Sequence, residues 1–169
     1  MCNDFGYDSI NYGAAPIVVN PYGSYFDTTT QIAPLDNSPN TMQFNSIDIQ
    51  NGISLDAGTR FKVLNNGVYN LQFSAQLYRT AGGSVETIDI WLRKNGLDVP
   101  DSNTRINIQS NSVFIVAAWN WYAQLNAGQF LEIMWSVTDT NIQLQYDPPN
   151  LIVPFPAIPS IIATISKVS

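Results

Sequence analysis

The segment from Gly67 to Gly96 constrains the fold of this chain most, because it contains two alternating runs separated by a glycine pair. In the first run every second residue is apolar, and these residues are Tyr69, Leu71, Phe73, Ala75 and Leu77. The second run has the same period and ends at Asn95-Gly96, a pair that suits a tight turn. A period of two is typical of a β-strand with one face in a core. The segment therefore predicts two strands that each bury one face.

Shorter alternating stretches recur along the rest of the chain, separated by Gly, Pro, Asn and Asp. They amount to about eight to ten strands at spacings of about 8 to 15 residues, which is typical of a sandwich or jelly roll. No stretch has a helical period over three turns. We predict an all-β, antiparallel jelly-roll sandwich over residues 25–169, preceded by an extended N-terminal arm over residues 1–24.

The composition restricts the partners. Charged residues make up only 12% of the 169 residues, so much of the surface must be uncharged and hydrogen-bonding, as in proteins that other subunits partly cover. The formal charge of -6 argues against nucleic acid and against anionic membranes, since both require a basic face. We expect neither as a partner, and the absence of signal-peptide features in residues 1–20 predicts synthesis in the cytoplasm.

Catalytic chemistry has few residues available. The chain has no histidine and one cysteine, Cys2, which excludes a Ser-His-Asp triad, a Cys-His dyad and an internal disulfide. Asp98, Asp101 and Asn103 offer oxygens for Ca²⁺, but their spacing is too sparse for a cation loop and favours turns instead. We expect no cofactor, no metal and no enzymatic activity.

The segment Ser112–Leu125 is apolar on both faces. One face has Val113, Ile115, Ala117, Trp119 and Trp121, and the other has Phe114, Val116, Ala118 and Tyr122. Phe130 and Met134 likewise crowd the second face of a later strand. A strand that is apolar on both faces needs cover on both sides, and an antiparallel protein without helices can obtain it from a partner subunit.

The tryptophans allow two interpretations. Trp119 and Trp121 share the parity of core residues, which favours packing. Trp91 lies on the polar face of its strand, so stacking on a sugar ring and packing against neighbours both stay open. In the N-terminal arm, the aromatic residues Phe5, Tyr7 and Tyr12 predict docking on a neighbouring subunit or another protein, or folding back on the domain.

Three motifs, GVYNLQF, IDIWLRKNG and LNAGQFLEI, occur in the order found in the tumour-necrosis-factor-like (TNF-like) jelly roll, which also forms the globular heads of complement proteins. The chain resembles that family over about residues 25–169. Its last strand, IPSIIATISKV, lacks the Phe and Gly of the complement heads. Together with WLRKNG and Trp119-Asn120, that strand resembles small bacteriophage and other viral structural proteins.

This resemblance implies a homotrimer with contacts from one sheet of each subunit. The candidate trimer-interface residues are Tyr69, Phe114, Val116, Ala118, Tyr122, Phe130 and Met134. We predict a non-enzymatic virion structural protein, a capsid decoration or head-fibre component that its arm anchors to a capsid or tail protein. The alternative is a tail-fibre or receptor-binding adhesin that holds a host surface glycan through Trp91.

Overall fold

The computed structural model describes residues 20–169, which form two antiparallel sheets and, within that range, no helix. The strands are β1 (Tyr22–Asp27), β2 (Gln31–Ile32), β3 (Asn40–Thr41), β4 (Ser46–Asn51), β5 (Ile53–Asp56), β6 (Arg60–Val63), β7 (Gly67–Arg79), β8 (Glu86–Lys94), β9 (Leu97–Asp98), β10 (Thr104–Ile108), β11 (Phe114–Leu125), β12 (Phe130–Val137), β13 (Ile142–Leu144) and β14 (Ile161–Lys167). They outnumber the strands expected from the sequence, in part because β2, β3 and β9 have two residues each, too few to show a period.

Sheet A is built around β7. On one side β7 pairs with β11 from end to end, with Leu125 opposite Gly67 and Phe114 opposite Tyr78. On the other side it pairs with β14 and then β13, and beyond these lie β1, β2 and β4. Among the described strands, β7 is the sole sheet neighbour of β11, so β11 forms an edge.

Sheet B has the strand order β10-β8-β12-β6-β5, with β3 beside β12 and β9 beside β8. The long β8–β12 pair forms its centre, with Ile90 opposite Trp135 and Ile88 opposite Val137. The Asn95-Gly96 turn joins β8 to β9, and both residues have positive φ, as the sequence predicts for a tight turn.

The core lies between the two sheets. The alternation predicted for β7 is confirmed, since its odd-numbered residues from Tyr69 to Leu77 are buried and the even-numbered ones are more exposed. They meet the inward residues of sheet B, such as Ile90, Leu92 and Leu131, in one continuous cluster. This cluster is the hydrophobic contribution that holds the sandwich together.

The first strand begins earlier than the predicted start of the domain at residue 25, since β1 begins at Tyr22 and ends at Asp27. It ends there because the Asp27 carboxylate accepts hydrogen bonds from the backbone N–H and the hydroxyl of Thr29, which turns the chain. Residues 22–24 thus belong to the domain rather than to the arm. The predicted anchoring residues Phe5, Tyr7 and Tyr12 lie outside the described residues.

Candidate functional site

The outward residues of four strands of sheet A carry no charge, whereas β4 at the far edge carries the exposed Asp48. We call this surface, formed by the outward residues of β1, β7, β11 and β14, the uncharged face. Its members are Tyr22, Ser24, Phe26, Val68, Asn70, Gln72, Ser74, Gln76, Tyr78, Phe114, Val116, Ala118, Asn120, Tyr122, Gln124, Ile162, Thr164 and Ser166. The chain has 13 acidic and seven basic residues, and none of those among residues 20–169 lies on this face.

The most apolar part of the uncharged face runs along the edge strand β11. Phe114, Val116 and Tyr122 are 55%, 56% and 65% exposed, and Ala118 lies between them. Phe114 packs on Tyr78 with ring centroids 4.6 Å apart, while Asn120 Nδ2 donates to Asn70 Oδ1 at 2.9 Å. Apolar side chains and satisfied amides thus alternate across a neutral surface.

Four of the predicted interface residues, Phe114, Val116, Ala118 and Tyr122, share this stripe. The side chains on the opposite face of β11 are covered by the same chain, because Trp119 and Trp121 both pack on Phe73. The packing predicted for these two tryptophans is therefore what the structure shows. From the sequence we expected a partner subunit to cover both faces of β11. In the structure only the outward face is left for a partner to cover.

The other three predicted interface residues require a correction. Tyr69 points into the core, is fully buried, and donates its hydroxyl hydrogen to the Asn65 carbonyl at 2.8 Å. Met134 is buried within its own chain, where it lies between Trp91 on β8 and Thr41 on β3. Phe130 is half-buried under the Arg60 guanidinium, which lies 4.8 Å from the ring centroid. Side chains of the same chain cover Tyr69 and Met134 fully and Phe130 in part, a long-range effect that parity alone does not reveal.

The outward face of sheet B has the opposite character, because ion pairs cover it. Arg93 Nε lies 2.8 Å from Asp98 Oδ1, and Arg105 binds both carboxylate oxygens of Asp89. Further pairs join Arg60 to Glu132 and Lys62 to Asp56. The hydrogen bond from Arg105 lowers the pKa of Asp89, and the hydrogen bonds from Arg93 and then Trp91 lower the pKa of Asp98. This face is therefore charged and hydrated at neutral pH.

A cleft of about 360 Å³ opens on sheet B beside Trp91. Its lining residues are Pro39, Asp89, Trp91, Asp98, Val99, Asp101, Asn103 and Ser136. The half-buried Trp91 donates its indole N–H to Asp98 Oδ1 at 2.9 Å, so the ring is held in one orientation. The sequence did not predict that Trp91 and Asp98 meet, although the Asn95-Gly96 turn between them was the signal that could have shown it.

Metal chemistry has no support in this cleft. Over residues 20–169, no group of three or more His, Cys, Asp or Glu side chains is placed to hold a metal ion. Asp101 has a positive φ of 59°, as expected for the turn-forming role that its sequence context favours. No helix in that range is both long and apolar enough to cross a membrane.

Comparison with known proteins defines the fold class. No protein-family model matches the sequence, and no curated protein matches it either. Among solved structures, the globular domain of zebrafish complement 1qA protein is similar with a TM-score of 0.57 and 14% sequence identity. The match covers 89% of this chain and 98% of the zebrafish domain. At this identity the likeness shows the fold alone, and it confirms the TNF-like jelly roll that the three motifs predicted.

Proposed function

We propose that this chain is a non-enzymatic structural protein that assembles as a homotrimer through the uncharged face of sheet A. The observation that carries the proposal is the contrast between the two sheet faces, one without charge and one covered by ion pairs. Removing a neutral, partly apolar surface from water costs little free energy, whereas burying a charged side chain costs several kcal/mol. Of the two faces, sheet A is the one that a second copy can cover at low cost.

The size of the uncharged face fits this role. Four strands about 4.8 Å apart, rising about 3.4 Å per residue, span on the order of 600 Å². A stable interface buries roughly 800 Å² per partner, so this face alone would supply about three quarters of one interface and neighbouring surface must supply the rest. The TNF-like fold supports the trimer, since domains of this fold typically self-trimerise.

A virion is the proposed setting, with the trimer as a capsid decoration or head-fibre component. The support is the resemblance of WLRKNG, Trp119-Asn120 and the last strand to viral structural proteins. In this proposal residues 1–20, with Phe5, Tyr7 and Tyr12, anchor the trimer to a capsid or tail protein. Deleting residues 1–20 tests the anchor, because particle binding should be lost while the trimer remains. Unchanged incorporation into particles would contradict it.

The interface is tested by placing a charge on each sheet. Val116→Glu puts a carboxylate in the apolar stripe of the uncharged face, and Asn107→Glu puts one on the exposed edge of sheet B. Light scattering coupled to size exclusion should give one-chain mass for Val116→Glu and three-chain mass for Asn107→Glu. Circular dichroism checks that both variants stay folded. A Val116→Glu trimer as stable as the unmodified one would contradict the interface.

A second candidate function is an adhesin, which the Trp91 cleft favours. An indole held beside Asp98, with Asp101 and Asn103 on the same cleft, offers a stacking surface and hydrogen-bond acceptors, the combination that sugar rings use. Glycan-array binding by the unmodified protein, lost in Trp91→Ala and partly kept in Trp91→Phe, would support it. No glycan binding by the unmodified protein, or equal binding by Trp91→Ala, would contradict it.

A further inference from the structure

β13 and β14 lie end to end along β7 as one interrupted strand. Leu144 pairs with Leu77 and Ile161 with Ala75, so one position, opposite Gln76, remains between them. Two residues share that position. The backbone carbonyl of Gln76 accepts a hydrogen bond from the backbone N–H of Gln145 at 2.7 Å, and the backbone N–H of Gln76 donates to the Ser160 carbonyl at 2.9 Å. Residues 146–159 are therefore a loop inserted at a single register position of sheet A. We call this segment the proline loop.

The proline loop holds its own shape. Its two sides pair through Asp147 with Ile158 and Asn150 with Phe155. At the tip, Asn150 Oδ1 accepts hydrogen bonds from the backbone N–H groups of Ile152 and Val153. Five prolines restrict the rest of the loop, namely Pro148, Pro149, Pro154, Pro156 and Pro159. A loop ordered in this way loses little conformational entropy on binding.

The tip of the proline loop exposes apolar side chains to water. Leu151 and Ile152 are 92% and 93% exposed, and Val153 follows them. Between Pro148 and Pro159 there is no charged residue. The loop also forms a concavity of about 490 Å³, lined in part by Pro149, Phe155 and Ile158. Exposed aliphatic side chains on a rigid support are typical of an interaction site.

The position of the loop indicates what covers it. Gln76, at its base, lies on the uncharged face, and its neighbour on β11 is Val116. The inward side of sheet A is filled by the core, and the loop tip is exposed outside it. The loop tip and this face are neutral, and the net charge of -6 disfavours an anionic membrane as the alternative occupant.

We propose that the proline loop of one chain docks on the uncharged face of a second copy and locks the trimer. This inference rests on the proposed homotrimer. Apolar contact between the tip and the β11 stripe removes both from water at once, which neither surface achieves within one chain. The loop is then the element that holds neighbouring subunits in register.

Charge substitutions at the tip test the docking. The variant with both Leu151→Asp and Ile152→Asp is compared with Leu97→Asp, because Leu97 is a 75% exposed leucine on β9 of sheet B. Light scattering over a dilution series should show the double variant dissociating at a concentration at least tenfold higher than the unmodified chain. The Leu97→Asp variant should dissociate where the unmodified chain does.

A second measurement does not depend on weakening the trimer. In a Cys2→Ser background, Leu151→Cys should react with a soluble disulfide reagent at least tenfold more slowly in the trimer than in a Val116→Glu monomer. Leu97→Cys should react at one rate in both. Two results would overturn the docking alone. One is a trimer whose dissociation is unchanged by the tip substitutions, and the other is tip-dependent binding to phosphatidylcholine vesicles without an effect on assembly. A monomeric unmodified chain would instead overturn the proposed function.

Discussion

The guanidinium of Arg79 is fully buried, and its Nη2 lies 3.3 Å from Asp139 Oδ2. Its Nη1 donates to the carbonyls of Ser84 and Ile108. Arg79 thus joins the end of β7 to the β7–β8 turn, to β10 and to the turn after β12. One buried cation ties the two sheets together at this end of the sandwich.

Removing the carboxylate from this pair should destabilise the protein strongly. Asp139→Ala leaves a buried guanidinium with only Glu86, 4.0 Å away, as a charged partner. We expect a loss of about 3 kcal/mol in the free energy of unfolding, measured with urea. The control is Arg93→Ala, which removes an exposed pair and should cost about 1 kcal/mol or less. Equal losses in the two variants would contradict a special role for Arg79.

Acid should destabilise the protein through the same cluster. The backbone N–H of Asn141 first, and then Arg79 among other donors, lower the pKa of Asp139, while the Ser84 and Thr138 hydroxyls lower that of Glu86. As the pH falls, the unfolded chain binds protons at these two carboxylates before the folded chain does. The stabilisation that the carboxylates contribute is therefore complete above about pH 5 and is lost as the pH falls below about 4. Because the chain has no histidine, the midpoint temperature of thermal unfolding should stay constant between about pH 6 and 8. A midpoint that shifts between those two values would contradict this assignment.

The two adjacent glycines of the β7–β8 turn should respond differently to alanine. Gly82 has a φ of +106°, and a Cβ there would clash with Arg79 Nη2. Gly83 has open space around it. We expect Gly82→Ala to cost about 1 to 3 kcal/mol and Gly83→Ala to change stability by less than about 0.5 kcal/mol, measured by urea unfolding. Similar values for both would show that the turn adapts without strain.

Phe73 should be a major contributor to the packing of sheet A. Its ring stacks on Trp121 at 5.3 Å and meets the edge of Trp119 at 4.6 Å. Phe73→Ala should cost about 3 to 5 kcal/mol, and Phe73→Leu should cost clearly less because it keeps most of the volume. Tryptophan fluorescence during unfolding reports on both rings. A near-native Phe73→Ala protein would contradict the packing described for β11.

Local periodicity predicted much of the fold. The alternation of β7, the turn at Asn95-Gly96 and the two-sided apolar pattern of β11 each depend on residues close in sequence, and each has its expected place in the structure. The TNF-like motifs added the topology class, because their order along the chain follows the order of the strands. The parity of β11 also separated Val116 and Tyr122, which face outward, from Trp119, which packs inward.

Long-range pairing explains what the sequence did not predict. The proline loop could be identified as a loop, but its insertion opposite Gln76 depends on the register of β13 and β14 on β7. The burial of Met134 depends on β3, and the burial of Arg79 depends on β10 and on the turn after β12, both far away in sequence. None of these contacts leaves a local periodic signal, so they become visible only when the sheets are assembled.

In the proposed trimer, other copies of this chain cover the uncharged face of sheet A. The most direct test is the mass of the unmodified protein in solution, measured by light scattering coupled to size exclusion. We expect a mass of three chains of 18.7 kDa each. A single-chain mass over the whole accessible concentration range would contradict it.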